Sequence, residues 1–255
     1  MIAKLQCKAK QQGFTLIELA VVMLVVGLLL SGLFTALGES TENKRRSDAI
    51  AQLSRVEEAL YGYAQTYGRL PCPALDTTAG VEDPVGGGAT GACTTRYGFV
   101  PHVTLGLQSA PSVGGIMMDP WDNPLLYSVA ANLSGGNRVF TSVAGLRAFF
   151  AAGSALTPLD PLLLCVSDTP GCAGVVAVST APAVVHSMGG NAALFSGASS
   201  LAEQENAGGT LGTFDVPNDN QFVLQRYSEP VFDDLVVWLS PNLLFTRMIS
   251  AGRLP

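Results

Sequence analysis

The chain has 255 residues, a hydrophobic content of 48% and a formal net charge of −6 at pH 7, which is enough apolar material for one sizeable core. This acidic balance argues against a nucleic-acid-binding protein, because such proteins use basic patches to neutralise phosphates. Only 13% of the residues are charged, and the 28 glycines and 15 prolines indicate many turns.

The first predicted element is an apolar helix that follows a basic segment. Lys4, Lys8 and Lys10 precede the stretch 13–38, whose one charged residue is Glu18. A helix of about 20 uncharged residues is about 30 Å long, which matches the hydrocarbon core of a bilayer. We therefore predict that residues 14–38 form a membrane-spanning half of a helix and that the lysines hold residues 1–13 in the cytoplasm.

Glu18 is unusual at the edge of an apolar helix. An ionised carboxylate near a membrane costs a few kcal/mol unless a cation meets it. Cleavage after Gly13 would create such a cation, the α-amine of Phe14, about one helical turn from Glu18. The corresponding amine of a neighbouring subunit is the alternative partner.

The run Gly-Phe-Thr-Leu-Ile-Glu at residues 13–18, behind a basic leader, resembles the precursors of the type IV pilin and type II secretion pseudopilin superfamily. This resemblance implies that a prepilin peptidase removes residues 1–13, that Phe14 is N-methylated, and that Glu18 pairs with a neighbouring N-terminus in a filament. It also implies an inner-membrane, single-pass protein without catalytic activity, with a cytoplasmic N-terminus and a periplasmic head.

Two other interpretations share the basic and apolar pattern. An exported hydrolase or binding protein with an ordinary signal peptide would also have a basic segment and an apolar core, and Ala36-x-Gly38 has the form of its cleavage site. A longer apolar run and the carboxylate of Glu18 argue against it. A simple membrane anchor is the second alternative, but it gives Glu18 no role.

Beyond the apolar stretch, residues 39–68 are predicted to continue as an amphipathic helix. Apolar residues recur there at spacings of three and four, the pattern of one helix face. The residues of this stripe are Ile50, Leu53, Val56, Leu60, Ala64 and Tyr67. Gly68 and Pro71 are typical stop signals. One helix from about Phe14 to Tyr67 is therefore expected, and the resemblance implies an α+β fold in which this helix packs on a mainly antiparallel β head.

Cysteine usage favours an oxidising compartment. Cys7 would leave with the leader, and four cysteines would remain in the head, residues 69–255. Four cysteines allow three pairings, and the lower entropy of short loops favours Cys72 with Cys93 and Cys165 with Cys172. A zinc site is disfavoured because no C-x-x-C occurs and the two histidines are distant in sequence. Free buried thiols are the remaining alternative, which export disfavours.

In the head, the sequence Asp-Pro-Trp-Asp-Asn-Pro at residues 119–124 predicts a rigid turn that leads into a strand over 125–129. It is similar to a turn of the major pseudopilin, with Asp122 where glycine is usual, so we expect a positive φ at this residue. Residues 175–178 and 183–187 are predicted strands. His186 and Ser187 are adjacent in one of these strands and so point to opposite faces, which argues against a catalytic pair.

The closing part of the chain, with the sequence Phe-Asp-Asp-Leu-Val-Val-Trp at residues 232–238, is similar to the end of major pseudopilins, in which a preceding loop can hold calcium. Candidate oxygen donors here are Glu203, Glu205, Asn206, Asp215, Asp219 and Asn220. Their spacing matches no tight calcium loop. The prediction is therefore a solvated acidic loop and no cofactor, with structural calcium as the alternative.

Together these features predict a pilin-like or pseudopilin subunit of a type II secretion or type IV pilus filament. Its expected partners are the prepilin peptidase, other subunits and the inner membrane. The head is longer than that of a compact major pseudopilin and carries cysteines, which favours a minor subunit.

Overall fold

The computed structural model describes residues 15–87, 92–107, 112–130, 139–151, 162–166, 176–192, 200–206, 220–228 and 232–255, without the side chains of 29–40 and 112. The chain divides into two compact units, residues 1–44 and 45–255. Within the described ranges the fold is α+β, with one long N-terminal helix and a mainly antiparallel set of strands.

Helix α1 (Leu16–Tyr67) runs through both units. Its part in the first unit exposes apolar side chains, including Leu16 at 89%, Met23 at 66% and Leu28 at 68%. Where both backbone and side chains are described, no helix combines the length and the apolarity that crossing a membrane requires.

In the second unit, α1 buries the middle of the predicted apolar stripe. Leu53, Val56, Leu60 and Ala64 are at most 1% exposed. Ile50 and Tyr67, at the two ends of the stripe, are instead about half exposed, so their place in the buried face was predicted wrongly. The helix stops because Gly68 takes φ +73°, a left-handed conformation that glycine adopts without strain. The predicted end of the helix at Tyr67 is therefore confirmed.

In the part of the chain that the structure describes, the strands form one antiparallel sheet, one mixed sheet and a hairpin. The antiparallel sheet has the order β1 (Tyr97–Phe99), β4 (Leu126–Val129), β7 (Ala183–Ser187), β9 (Leu235–Trp238). The hairpin pairs β2 (Ser112–Val113) with β3 (Ile116–Met117), and the mixed sheet has the order β6 (Val176–Ala181), β5 (Leu162–Cys165), β8 (Gln221–Val223). Besides α1, the described residues form the α-helices α2 (Val143–Ala151), α3 (Leu201–Asn206) and α4 (Pro241–Ser250).

The two central strands of the antiparallel sheet, β4 and β7, are buried along their whole length. They pair in the register Leu126↔His186 to Val129↔Ala183. Their apolar side chains other than Leu126, together with the buried part of the α1 stripe, belong to one core cluster, to which α2 and α4 contribute Phe149 and Leu244. Leu126 lies in a smaller cluster with Met188 and Ala192. Both central strands lie within or at one residue of the predicted ranges.

A disulfide joins Cys72 and Cys93, the pair that sequence proximity favours, with their Cα atoms 5.3 Å apart. Closing a loop of this length stabilises a folded domain by about 3 kcal/mol in the chain-entropy account. Cys165 is also disulfide-bonded. Cys172, its expected partner, lies outside the described residues, so that pairing stays a prediction.

Next to this disulfide lies a buried ionic group, which we call the Glu82 network and which consists of Tyr63, Arg69, Cys72 and Glu82. The Arg69 guanidinium donates to Oε1 of Glu82 at 2.7 Å and to Oε2 at 2.9 Å. The Tyr63 hydroxyl and the Cys72 backbone N–H donate to the same carboxylate, each at 2.9 Å. Burial raises the pKa of Glu82, but these donors and the charge of Arg69 outweigh it and lower that pKa below its ordinary value.

The closing segment of the chain returns to the C-terminal end of α1. Arg253 Nε donates to the backbone carbonyl of Gln65 at 2.9 Å, and its guanidinium also donates to the carbonyl of Thr66. Leu254 is buried beside it. A cation bound to the last carbonyls of a helix satisfies them and complements the helix dipole. Residues 253–254 therefore close the end of the longest helix.

Candidate functional site

The structure gives the N-terminal motif a local geometry. Helix α1 begins at Leu16, so Thr15 is its N-cap residue and Glu18 is the third helical residue. The Glu18 backbone N–H donates to Thr15 Oγ1 at 3.3 Å, and Glu18 Oε2 accepts the Thr15 N–H at 3.5 Å and the Thr15 hydroxyl at 3.4 Å. This reciprocal pattern is a capping box.

The capping box supplies the role for Glu18 that the simple-anchor interpretation lacked, because a helix cap is useful in any chain. Glu18 is nevertheless exposed, so its carboxylate is accessible to a cation. Gly13 and Phe14, the predicted processing and methylation residues, lie outside the described residues.

A second candidate site lies in the head and consists of the carboxylates of Glu203, Asp233 and Asp234, here called the acidic cluster. Glu203 is on α3, and the two aspartates directly precede β9. One carboxylate oxygen from each of the three residues lies within 4.8 Å of those from the other two. The residues are only 0%, 3% and 4% exposed, respectively.

This burial corrects the prediction of a solvated acidic loop for two of the predicted donors. Glu203 and Asn206 are both 0% exposed. The side chain of Asn206, at the end of α3, makes two hydrogen bonds to the backbone of Val223 on β8. Its Oδ1 accepts the Val223 N–H at 2.6 Å, and its Nδ2 donates to the Val223 carbonyl at 3.2 Å. Pairing α3 with β8 in this way accompanies the burial of Glu203 on the same helix.

Backbone and amide donors hold the cluster in place. Asp233 Oδ2 accepts the N–H groups of Gly190 at 2.7 Å and Asn191 at 3.1 Å. Glu203 Oε1 accepts the Asp233 N–H at 3.1 Å and the Asn191 side-chain amide at 2.8 Å. Asn206 Nδ2 donates to Asp234 Oδ2 at 2.8 Å. The turn at 188–191 thus contacts two members of the cluster.

A glycine makes this contact with the turn feasible. Gly189 has φ +65°, and a Cβ there would lie 2.4 Å from the Asp233 carboxyl carbon. The other side of the turn is held by the 119–124 segment, because Asn123 Nδ2 donates to the Gly189 carbonyl at 2.7 Å. In that segment Asp122 has φ +65°, the positive value expected from its place in the turn.

Three buried oxygens at the cluster have no hydrogen-bond partner among the described residues. They are Oδ1 of Asp233, Oδ1 of Asp234 and Oδ1 of Asn191. Burial raises the pKa of Asp233 to about 7, with a further contribution from the charge of Glu203. Burial, together with the charges of Glu203 and Asp233, also raises the pKa of Asp234. Buried carboxylates this close to one another are stabilised by protons or by a metal cation.

The donor set favours a hard cation. Every available atom is an oxygen, and calcium takes six to eight oxygens from carboxylates, amides, carbonyls and water. Of the donors predicted from sequence, Glu203 is in the cluster and Asn206 orients it, whereas Glu205 and Asn220 are not members. Asp215 and Asp219 lie outside the described residues. Asp233 and Asp234 were missed as donors, although the closing motif contains both.

His186 and Ser187 have separate surroundings. Ser187 Oγ donates to Asp119 Oδ2 at 2.5 Å. His186 is fully buried, its ring lies edge-on to Phe222 at 5.5 Å, and burial lowers its pKa to about 4. A neutral imidazole packed in this way is a core side chain, in agreement with the sequence-based argument against a catalytic pair.

Comparison with known proteins identifies the N-terminal segment alone. Residues 8–34 match the family model described as the prokaryotic N-terminal methylation motif. No curated protein and no solved structure matches the chain. The match contains Gly13, Phe14, Thr15 and Glu18, so the capping box lies inside the recognised motif.

Proposed function

We propose that this chain, which carries at residues 8–34 the N-terminal methylation motif of the type IV pilin and pseudopilin superfamily, is a structural subunit of a type II secretion or type IV pilus filament. The match to that motif is the observation that carries the proposal. The 52-residue helix α1, continued into a head with an antiparallel sheet, supports it.

In this proposal residues 14–38 anchor the subunit in the inner membrane, residues 1–13 are its cytoplasmic leader, and the head is periplasmic. The uncharged run after Glu18 and the lysines before it support this orientation. The disulfide between Cys72 and Cys93 supports export, because disulfides persist in oxidising compartments.

The partners implied by the motif are a prepilin peptidase and other subunits with the same N-terminus. Assembly would proceed through α1, with Glu18 accepting the α-amine of a neighbouring subunit. The longer, disulfide-containing head supports a minor subunit. In this role the protein is not an enzyme, since proteins with this motif are structural.

Leader removal tests the proposal. We expect the mature protein to begin at Phe14 with a methylated α-amine, because the Gly13–Phe14 junction lies in the register of the motif. Mass spectrometry of the N-terminus measures this. Gly13→Arg should leave the leader attached because the side chain is bulky and charged, and Gly13→Ala should be cleaved at least in part. A mature chain beginning after Gly38 would instead identify an ordinary signal peptide.

We also propose that the acidic cluster binds one calcium ion, the ion that a loop before the similar closing motif of major pseudopilins can hold. The three unpartnered oxygens fit such an ion, since a cation would satisfy them and neutralise the buried charge. Glu203, Asp233 and Asp234 would hold it together with Oδ1 of Asn191. The ion would fasten α3, the turn at 188–191 and the segment before β9 to one another.

Calcium is therefore expected to raise the thermal midpoint of the purified protein relative to EDTA. At a calcium concentration of about 100 times Kd, binding stabilises the folded state by about 2.7 kcal/mol. Asp234→Asn should abolish this response without lowering the midpoint in EDTA, because it removes a buried like charge. Glu205→Gln, on the same helix but outside the cluster, is the matched control and should respond like the wild type. A calcium-independent midpoint in the wild type would refute the site.

A further inference from the structure

A short segment inside the disulfide loop, Glu82 and Asp83, bonds the chain beside Cys72. Oε2 of Glu82 accepts the Cys72 backbone N–H at 2.9 Å. The Asp83 N–H donates to the carbonyl of the next residue, Pro73, at 3.1 Å, and Glu82 forms a β-bridge with Ala74. The chain that carries Cys72 is therefore fixed to this segment by a side chain and by backbone bonds.

The same segment bonds the chain beside Cys93, the other disulfide cysteine. The Asp83 carbonyl accepts the backbone N–H of Thr94 at 3.3 Å. The segment thus contacts both stretches of chain that carry the cysteines. The cysteines are 21 residues apart in the sequence, so a contact that aligns the two stretches lowers the entropic cost of bringing the thiols together.

Arg69 anchors this segment to the end of α1. It follows the helix closely in sequence and donates to both carboxylate oxygens of Glu82. Arg69 and Glu82 are 13 residues apart, fewer than the 21 between the cysteines, so the ion pair closes the smaller loop. The loop also packs on the guanidinium, because a Cβ at Gly87 would lie 2.8 Å from Cζ of Arg69. The ion pair can therefore form before the disulfide.

We propose that Glu82 is a positioning residue for formation of the Cys72–Cys93 disulfide. Bound to Arg69, it holds the two cysteine-bearing stretches side by side while the head folds. In the finished fold Cys72 is 0% exposed and Cys93 5%, so the thiols must meet an oxidant while this part of the head is still open. The inference concerns how the head acquires its disulfide and does not depend on the filament role.

The oxidation proceeds by thiol–disulfide exchange in two steps. The thiolate of one cysteine attacks a disulfide of the oxidant, a protein or small-molecule disulfide, which forms a mixed disulfide and releases one thiol. The thiolate of the second cysteine then attacks the mixed disulfide and releases the other thiol. The two cysteines lose two protons and two electrons, which convert the oxidant's disulfide to two thiols. Glu82 accelerates the second step, because that step needs the two cysteines to be neighbours.

Two pairs of variants test this role. Glu82→Gln removes the charge that Arg69 binds, and Glu58→Gln, in an exposed ion pair with Arg247, is its matched control. Thr104→Val is a milder change, because it removes the hydroxyl that accepts the Glu82 N–H at 2.9 Å and leaves the carboxylate in place. Thr104→Ser keeps a hydroxyl and is the control for it.

The measurement is the rate at which the full-length protein, reduced and unfolded in urea and then returned to native buffer with detergent, is oxidised by glutathione disulfide. Alkylation at successive times and peptide mass spectrometry report the free thiols of Cys72 and Cys93. Cys165, which is also disulfide-bonded, is the reference within the same chain.

We expect Glu82→Gln to slow formation of the Cys72–Cys93 disulfide at least about 10-fold and Thr104→Val about 2-fold to 10-fold. These factors correspond to the loss of a charged and of a neutral hydrogen bond. Glu58→Gln and Thr104→Ser should be oxidised like the wild type, and the oxidation of Cys165 should be unchanged throughout.

If Glu82 only stabilised the finished fold, Glu82→Gln would form the Cys72–Cys93 disulfide at the wild-type rate, and this result would overturn the inference. If Glu82→Gln slowed the oxidation of Cys165 as well, it would hinder folding of the whole head, and the Thr104 pair then decides. Slower Cys72–Cys93 formation in Thr104→Val than in Thr104→Ser, with Cys165 unchanged, supports the inference. Equal rates in that pair overturn it.

Discussion

Glu18→Gln is expected to be inserted and cleaved like the wild-type chain but to be nearly absent from filaments. Glutamine keeps the size of the side chain, can still serve in a capping box, and leaves the Gly13–Phe14 junction unchanged. It removes the negative charge that the α-amine of a neighbouring subunit would meet. The measurement compares leader removal, from the N-terminal mass, with recovery in sheared or crosslinked filament fractions.

Asp48→Asn provides the matched control, because it removes one exposed carboxylate from the same helix, outside the recognised motif. This variant should assemble like the wild type. If Glu18→Gln enters filaments at the wild-type level, Glu18 is not the assembly contact. That result would favour the simple-anchor interpretation, in which the carboxylate of Glu18 serves only to cap the helix.

In the head, Glu82→Gln is expected to lower the free energy of unfolding by about 3–5 kcal/mol, the usual effect of removing one partner of a buried ion pair. Arg69, in the Glu82 network, is only 8% exposed, so its charge would stay buried without the carboxylate that now accepts two of its N–H groups. Urea unfolding of the purified protein, followed by circular dichroism, measures the change.

An exposed ion pair in the same protein is the control for this prediction. Oε1 of Glu58 accepts a hydrogen bond from Nη1 of Arg247 at 2.6 Å, but the Glu58 side chain is 67% exposed. Glu58→Gln should therefore change the free energy of unfolding by less than about 1 kcal/mol. If Glu82→Gln and Glu58→Gln lowered the free energy of unfolding equally, burial of the ion pair would not be the reason for the large effect expected at Glu82.

The effect of Glu82→Gln should also depend on pH. Because the folded-state pKa of Glu82 is below its ordinary value of 4.5, its stabilisation is fully present above that value and is lost as pH falls through the lowered pKa. The difference between wild type and variant should therefore be constant at neutral pH and shrink in acid. If the difference in stability between wild type and Glu82→Gln grew toward low pH, the pKa of Glu82 in the folded protein would not be lowered.

The fold was predictable where local pattern determines it. The second half of α1 follows from the spacing of Leu53, Val56, Leu60 and Ala64, and its end follows from Gly68, because helix periodicity and a left-handed stop are properties of neighbouring residues. The apolar runs in the stretch 138–172 suit a strand or a short helix equally, because short runs carry no clear period, so the sequence does not decide between them. The described parts of this stretch contain α2 and β5.

The acidic cluster was not predictable in the same way. Glu203 and Asp233 are separated by 30 residues, and their contact depends on the packing of α3 against β8 and on the turn at 188–191. A sequence shows acidic residues near Glu203 but does not show which of them become buried. The donors predicted from sequence therefore included Glu205, which is close to Glu203 in sequence. They did not include Asp233 and Asp234, which are close to it in space.

The contact of Arg253 with the end of α1 has a consequence for the order of events during synthesis. Gln65 and Arg253 are 188 residues apart, so the last turn of α1 emerges long before its cap exists. Contacts between such distant residues form late, because a large loop must close first. Until residues 253–254 arrive, a nascent head has an open helix end, and a chain that stalls shortly before them should remain a target for proteases.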